Sequence, residues 1–303
     1  MTEAIKLDEA YAICRAIAKR EAKNFYYAFV ALPARRRDAI CAIYAFMRKA
    51  DDLADDESMS REERRRRLEQ WQYEWRRVAA GGETSDPVFL AVRDATSRFA
   101  IPHRLLDELI AGTTMDLTHA ASDEPDTYAT FGDLYQYCYL VASVVGLVCI
   151  RIFGYSDPSA EKLAEETGIA FQLTNILRDV AEDAERSRVY LPLEDLAAHN
   201  VSLHSLFHRA KGKPPTRDER ALLERIGQRA ETYYRSAQAL LPLIDRESRP
   251  ALWVLVSIYH SLLRRIRNER YDVFSHRASV PAIQKVAILA LGMGRMAVAR
   301  LSA

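Results

Sequence analysis

Two acidic stretches carry the residues of this chain best suited to chemistry: Asp51-Asp52-Leu53-Ala54-Asp55 and Asn175-Ile176-Leu177-Arg178-Asp179-Val180-Ala181-Glu182-Asp183. In each, oxygen donors recur every four residues, which on an α-helix sets them about 40° apart around the axis and about 6 Å apart along it. Such a face can hold Mg²⁺, an ion that takes one or two carboxylates from a protein and completes its octahedron with water and substrate phosphates. Two facing helices of this kind would clasp a diphosphate. Taken alone, either run also reads as the solvated face of a surface helix. The flanks argue otherwise: Ala39 to Met47 is almost wholly apolar, and Ile169 to Leu177 is interrupted only by Gln172, Thr174 and Asn175. Carboxylates rooted on buried helices need cations.

The elements that position these groups are helices. Apolar residues recur at helical period almost throughout, strand alternation is nearly absent, and the breaks fall at short polar stretches around 81–87, 122–126, 154–158, 211–215 and 245–250. The pattern predicts helices over about 8–22, 34–55, 60–79, 87–99, 102–117, 130–152, 158–184, 193–197, 202–210, 217–240, 249–271 and 280–300. No break is long enough for an interdomain linker, so the expectation is one all-α domain over residues 1–303, a helical bundle with a central apolar cavity. The basic run Arg61 to Arg67 is interleaved with acids and reads as a solvated helix face.

Composition narrows the partners. The 303 residues are 49% hydrophobic and 28% charged, and 43 Lys and Arg against 42 Asp and Glu give no electrostatic case for nucleic acid. A small-molecule partner fits better than a polyanion. Cys14, Cys41, Cys138 and Cys149 lack CxxC spacing and sit among apolar residues, as reduced core thiols do. The first residues lack the apolar core of a signal peptide, which implies a cytoplasmic location. The apolar runs Val141 to Ile150 and Val286 to Met293 are too short to span a bilayer. The segment from Val280 onward could form a basic amphipathic helix in peripheral contact with a membrane, although closing a bundle is the commoner role of such a segment.

Several blocks in fixed order resemble the squalene/phytoene synthase family of head-to-head prenyl transferases. They are Asn24-Phe25-Tyr26-Tyr27, Leu32-Pro33, the block from Ala42 to Asp55, Tyr137 to Ala142, and Asn175 to Asp183 continuing to Arg188-Val189-Tyr190-Leu191-Pro192. The resemblance covers about Lys23 to Arg277. It implies an isoprenoid-synthase-type bundle that joins two allylic prenyl diphosphates through a cyclopropylcarbinyl diphosphate, using several Mg²⁺ ions. By matching positions, Asp51, Asp52 and Asp55, and Asn175, Asp179 and Asp183, would hold the metal. Lys23, Asn24, Arg48, Arg178, Tyr259 and Arg277 would contact diphosphate, with His276 an alternative to Arg277, and Tyr44, Tyr137 and Tyr190 would serve catalysis. Gln172 would orient Asn175. Asn24 departs from the Ser that many members carry, and Ser187 lies in a flap that varies among them.

Chain length in such a cavity depends on side-chain bulk along its walls. Phe29 is large where it could form a floor, which favours farnesyl diphosphate and a thirty-carbon product of the presqualene diphosphate or squalene type. Cys41 is small where some thirty-carbon synthases carry an aromatic, which favours geranylgeranyl diphosphate and phytoene. The expectation here is farnesyl diphosphate, with phytoene synthesis as the alternative. NADPH use stays open: no GxGxxG follows a strand, but an all-α enzyme could bind the cofactor in its cavity. From other classes, a non-catalytic assembly factor of the same fold should have lost the metal carboxylates, and cyclases or head-to-tail transferases space their acidic motifs differently.

Overall fold

The computed structural model describes residues 6–118, 126–207 and 212–301, apart from the side chains of 23–25, 27, 116, 118, 126 and 296–301. Its helices run in chain order as α1 (Leu7–Glu21), α2 (Lys23–Val30), α3 (Ala34–Asp55), α4 (Arg61–Ala79), α5 (Pro87–Arg98), α6 (His103–Thr118) and α7 (Phe131–Cys138). They continue as α8 (Val144–Phe153), α9 (Ser159–Glu185), α10 (Leu193–Ala198), α11 (Leu203–Phe207), α12 (Arg217–Leu240), α13 (Arg249–Asn268) and α14 (Ala282–Leu301). The exceptions to an all-α architecture are two-residue strands, β1 (Asp126–Thr127) and β2 (Arg188–Val189), which pair in parallel.

Local signals set the helix ends. Ser60 accepts from the Glu63 amide at the start of α4, Asp86 accepts from Val88 and Phe89 ahead of Pro87, and Thr130 and Thr216 form capping boxes with Asp133 and Glu219. Gly154, at φ 80°, ends α8 in backbone that other residues resist.

The long helices are apolar on more than one face because they lie between the core and a cavity. On α3, Ile40, Ile43, Tyr44 and Met47 face the cavity, while Phe46 points the other way into a cluster with Trp71, Trp75 and Phe89. Helices α7 and α8 are continuous through a π-helical turn, Tyr139–Ser143, so Phe131 to Phe153 is one helix. Among the described residues this is the one helix long and apolar enough to cross a bilayer; here it forms a cavity wall, with Val141, Val145, Cys149 and Phe153 facing inward.

The π turn presses against α9. A Cβ at Gly168 would come 2.5 Å from the Ser143 Cα and 2.7 Å from its nitrogen, and Ser143 Oγ donates to the Glu165 carbonyl at 2.6 Å. Only glycine admits that approach. Gly168→Ala is therefore expected to destabilise the protein by about 1–3 kcal/mol, whereas Gly294→Ala, with nothing within 4 Å of its Cβ position, should be neutral or gain up to about 1 kcal/mol. Urea or thermal unfolding of the two variants measures the contrast.

Candidate active site

Helices α2, α3, α8, α9 and α13 surround a cavity of about 840 Å³. Its rim is polar, with Glu21, Asp51, Asn175, Arg178, Arg277 and Lys285, and its walls below are apolar down to Ile40, Phe153, Ala164 and Leu240. That division follows from the helix direction: α3 and α9 both bring their acidic C-terminal turns to the rim and the apolar stretches before them, Ile40 to Met47 and Gly168 to Phe171, to the walls.

At the rim the two acidic motifs meet arginines. Asp179, only 16% exposed, is gripped by its neighbour Arg178, whose Nε donates at 2.7 Å, and by Arg277, whose Nε donates at 2.9 Å. Arg277 also lies 3.3 Å from Glu182. Across the rim, Arg48 pairs with Asp52 one helical turn on, at 2.5 Å. Asp51 accepts from Thr113 Oγ1 of α6 at 3.2 Å. Asp52 and Asp55 are exposed, on the solvent side of the same turn. Burial, with Asp179 nearby, pushes the Asp183 carboxyl up to about 7, and Asp183 borders a narrow cleft beside Arg188, Tyr190 and Leu191 rather than the main cavity.

This donor set fits a hard cation. Asn175 Oδ1 is buried with no hydrogen-bond partner among the described residues, while its Nδ2 donates to Gln172 Oε1 at 3.4 Å. An orphaned buried carbonyl oxygen is costly unless something binds it. A cation beside Asp183 would offset the burial that raises its carboxyl, as Arg188 and Arg186 already do in part. Among the described residues no three His, Cys, Asp or Glu side chains form a ready-made metal cluster.

The tyrosines separate into two groups. Tyr44 faces the cavity, its ring edge-on to Phe29 at 6.1 Å, and burial raises its phenol. Tyr259 also faces the cavity, stacks on Phe171 at 4.4 Å, and is pushed by burial up to about 12. Tyr137 and Tyr190 do not line the cavity: they stack on each other at 4.9 Å and on Tyr128, bracing the β2 segment beside Asp183. Phe29, expected as a floor, lines the wall beside Tyr44. Cys41 does not; it is buried beside Cys14 of α1, and burial lifts its thiol to about 12. The small thiol in the wall is Cys149 instead. The Lys23 and Asn24 side chains lie outside the described residues. His276 pairs with Glu269 at 3.1 Å, leaving Arg277 to reach Asp179.

Sequence reasoning passed over Lys285, Glu21 and Thr113. Lys285 lies in the cavity mouth, its ammonium pKa lowered by burial and by Arg178. A single lysine one turn into an otherwise apolar helix was the available signal.

A helical bundle that gathers carboxylates, an amide and arginines above an apolar cavity is built to handle a prenyl diphosphate. The chain matches the squalene/phytoene synthase family over residues 18–284, and it belongs to that family of head-to-head prenyl transferases. It is 36% identical to a 15-cis-phytoene synthase of Synechococcus elongatus, over 96% of this chain and 95% of the relative. A phytoene synthase of Mycobacterium tuberculosis is 33% identical over 97% and 92% of the two chains. Among solved structures, a dehydrosqualene synthase with a bound ligand superposes with a TM-score of 0.83 at 30% identity, covering 96% of this chain and 98% of that one. A squalene synthase of Alicyclobacillus acidocaldarius gives 0.78 at 26% identity, over 88% and 96%.

The orphaned oxygen of Asn175 yields a test of role against stability. Asn175→Leu, nearly isosteric, is expected to leave the unfolding free energy within about 1 kcal/mol of the parent, because it removes an unpaired buried polar atom. Turnover should fall at least about a hundredfold. Unfolding curves and initial rates on the same preparation check both.

Proposed function

We propose that this protein is a Mg²⁺-dependent phytoene synthase that joins two molecules of geranylgeranyl diphosphate and ends the reaction by proton loss, without NADPH. The observation that carries this reading is the depth of the cavity. The α9 wall runs from Arg178 at the rim to Ala164 at the base, about 21 Å at the helical rise of 1.5 Å per residue. An isoprene unit adds four chain bonds, roughly 5 Å when extended, so four units need about 20 Å. The farnesyl expectation rested on Phe29 acting as a floor; Phe29 is one wall residue beside Tyr44, and Cys149, Phe153 and Leu240 also line the cavity. The relatives named phytoene synthase support the longer substrate.

In this reading Asp51, Asp52, Asp55, Asn175, Asp179 and Asp183 hold Mg²⁺, which supplies positive charge against the departing diphosphate. Arg48, Arg178 and Arg277, with Tyr259, bind phosphate oxygens, a planar guanidinium being suited to that task; Lys23 and Asn24 join them by position. The apolar walls keep water from the allylic cation, and the Tyr44, Phe171 and Tyr259 rings offer π faces at the level where positive charge develops. Tyr137 and Tyr190 act through packing, by holding the segment beside Asp183.

A thirty-carbon product from farnesyl diphosphate is the second reading. It draws on the shorter α3 wall, Asp51 to Ile40, about 17 Å deep, and on the likeness to a dehydrosqualene synthase.

Purified protein incubated with Mg²⁺ and either diphosphate, with and without NADPH, is expected to give the forty-carbon hydrocarbon from geranylgeranyl diphosphate in both conditions, identified by mass spectrometry. Exclusive use of farnesyl diphosphate would establish the second reading. Asp51→Ala and Asp179→Ala should each abolish turnover by about a thousandfold or more with the helical circular dichroism retained; parental activity in either removes that residue from the metal site. Cys149→Phe, which fills the deep wall, should lower the ratio of kcat/KM for geranylgeranyl over farnesyl diphosphate by about tenfold or more. An unchanged ratio would mean that depth at this wall does not set chain length.

A further inference from the structure

The floor of the cavity has a second layer beneath it. Ile40, Phe153, Leu240 and Leu252 line the closed end, and within four residues of each along the chain stand Arg36, Gly154, Ile244 and Ser248, none of which lines the cavity. These outer residues are bonded to one another. From the first turn of α3, Arg36 donates through one guanidinium nitrogen to Asp245 Oδ2 at 2.7 Å and through another to Ser248 Oγ at 2.5 Å. Both partners belong to the connection between α12 and α13, 209 and 212 residues further along the chain.

The same connection holds the end of α8. The Asp245 amide donates to the Gly154 carbonyl at 2.8 Å, and Gly154, at φ 80°, gives the carboxylate room, since a Cβ there would stand 2.0 Å from its Oδ2. Tyr155 pairs with Ile244 in an antiparallel bridge, and its hydroxyl donates to Glu161 of α9 at 2.5 Å. One clasp therefore joins α3, α8, α9 and the start of α13 below the cavity.

Overall stability does not account for it. The Asp245 side chain is 46% exposed, and an ion pair so open to water contributes little to folding. What the clasp controls is spacing. A planar guanidinium bonded to two partners tolerates little displacement, and Ser248, which takes one arm, is fully buried. The start of α3 cannot draw away from the start of α13 without breaking both bonds. Interiors are packed densely enough that a single methylene is felt, so the separation of Ile40 from Phe153 and Leu252 decides whether one more segment of chain can enter.

We propose that Arg36 is a positioning residue for chain-length selection: its bonds to Asp245 and Ser248 hold the cavity floor in place and so set the longest prenyl diphosphate that the protein accepts. The inference rests on the reading of this cavity as the prenyl site, and it holds whichever chain length the protein prefers.

The test assays the full-length parent, Arg36→Met, Arg36→Lys and Ser248→Ala with Mg²⁺ and prenyl diphosphates of three, four and five isoprene units. Arg36→Met keeps the apolar stem and loses both bonds. Its kcat/KM for the substrate one unit longer than the parent's preferred one, taken relative to that preferred one, is expected to rise at least about tenfold. Ser248→Ala, which releases one arm, should shift the ratio in the same direction by about threefold, and Arg36→Lys should fall between Arg36→Met and the parent. Turnover of the preferred substrate should stay within about threefold of the parent, because the rim that ionises the diphosphate is untouched. The inference is overturned if Arg36→Met keeps the parent's ratio to within about twofold, or if it loses all three substrates in the same proportion, as a merely structural residue would. Where Arg36→Met does not fold, the ratio in Ser248→Ala decides in the same way. The length that the parent prefers bears on the reading of the site alone, and the change of ratio between parent and variant bears on the clasp. A parent without turnover on any of the three overturns that reading and this inference with it.

Discussion

Asp179 between two guanidinium groups is the interaction on which the arrangement of the cavity mouth depends. Arg178 holds it from the same helix, and Arg277 reaches it from 98 residues further along the chain. Removing either arginine leaves a carboxylate that is only 16% exposed short of a partner, the costly way to break such a pair. The long-range arm pins the segment after α13 across the end of α9 and so fixes where α14 begins. That segment turns through Arg270 and Tyr271, both in left-handed backbone at φ 54° and 57°. The strain persists because the Tyr271 ring is seated on Gly227, where a Cβ would stand 2.4 Å from its hydroxyl. Arg265 and His276 brace the same turn through Glu269. The charge proposed to bind substrate is thus also the charge that shapes the entrance.

The walls follow from a second requirement, that an allylic cation meet no water. Of the helices bounded by core on one side and cavity on the other, α8 is apolar almost throughout, while α3 and α9 confine their charges to their two ends and are largely apolar between them. Close approach does the rest. Gly168 against the π turn at Tyr139–Ser143 brings two wall helices nearer than side chains permit, and the π turn itself re-aims the helix face there. A wall sealed by backbone contact leaves no seam for solvent.

How legible this was in the sequence varied with the kind of signal. Helices α3, α9, α12 and α13 are long and periodic with clear caps or breaks, and their extents follow directly. Helix α2, Lys23–Val30, was not expected: it has eight residues and no side-chain cap, and packing against α13 stabilises it. The π turn shifts the helical period by one residue, and no local residue choice announces it. The misplacement of Cys41 is instructive, because the information was present. Cys41 precedes Asp51 by ten residues, which at 100° per residue leaves it about 80° around the helix. Ile40, Tyr44 and Met47 come within about 40° of Asp51 and Ile43 lies about 80° away on the side opposite Cys41; these four are the α3 residues in the wall, whose face is turned away from Cys41. Cys149, on another helix, could be placed only by tertiary structure.

The rim and the base of the cavity are written in different alphabets. Ionising a prenyl diphosphate needs particular atoms, carboxylate and amide oxygens with guanidinium donors, at fixed spacing on two helices; almost any substitution removes a function outright. Such positions identify a family even at 30–36% identity. Holding one more isoprene unit needs only volume, and volume can be taken from or returned to any of several walls by exchanging apolar side chains of different size. Each methylene that fits or fails to fit is worth about 1–3 kcal/mol, enough to choose a substrate and too diffuse to leave a motif. The α9 wall at about 21 Å and the α3 wall at about 17 Å differ by nearly one isoprene unit, so the choice turns on which wall a bound prenyl chain follows. Cys149, Phe153 and Leu240 lie where the deeper path continues, and the longer substrate is the one that would use them.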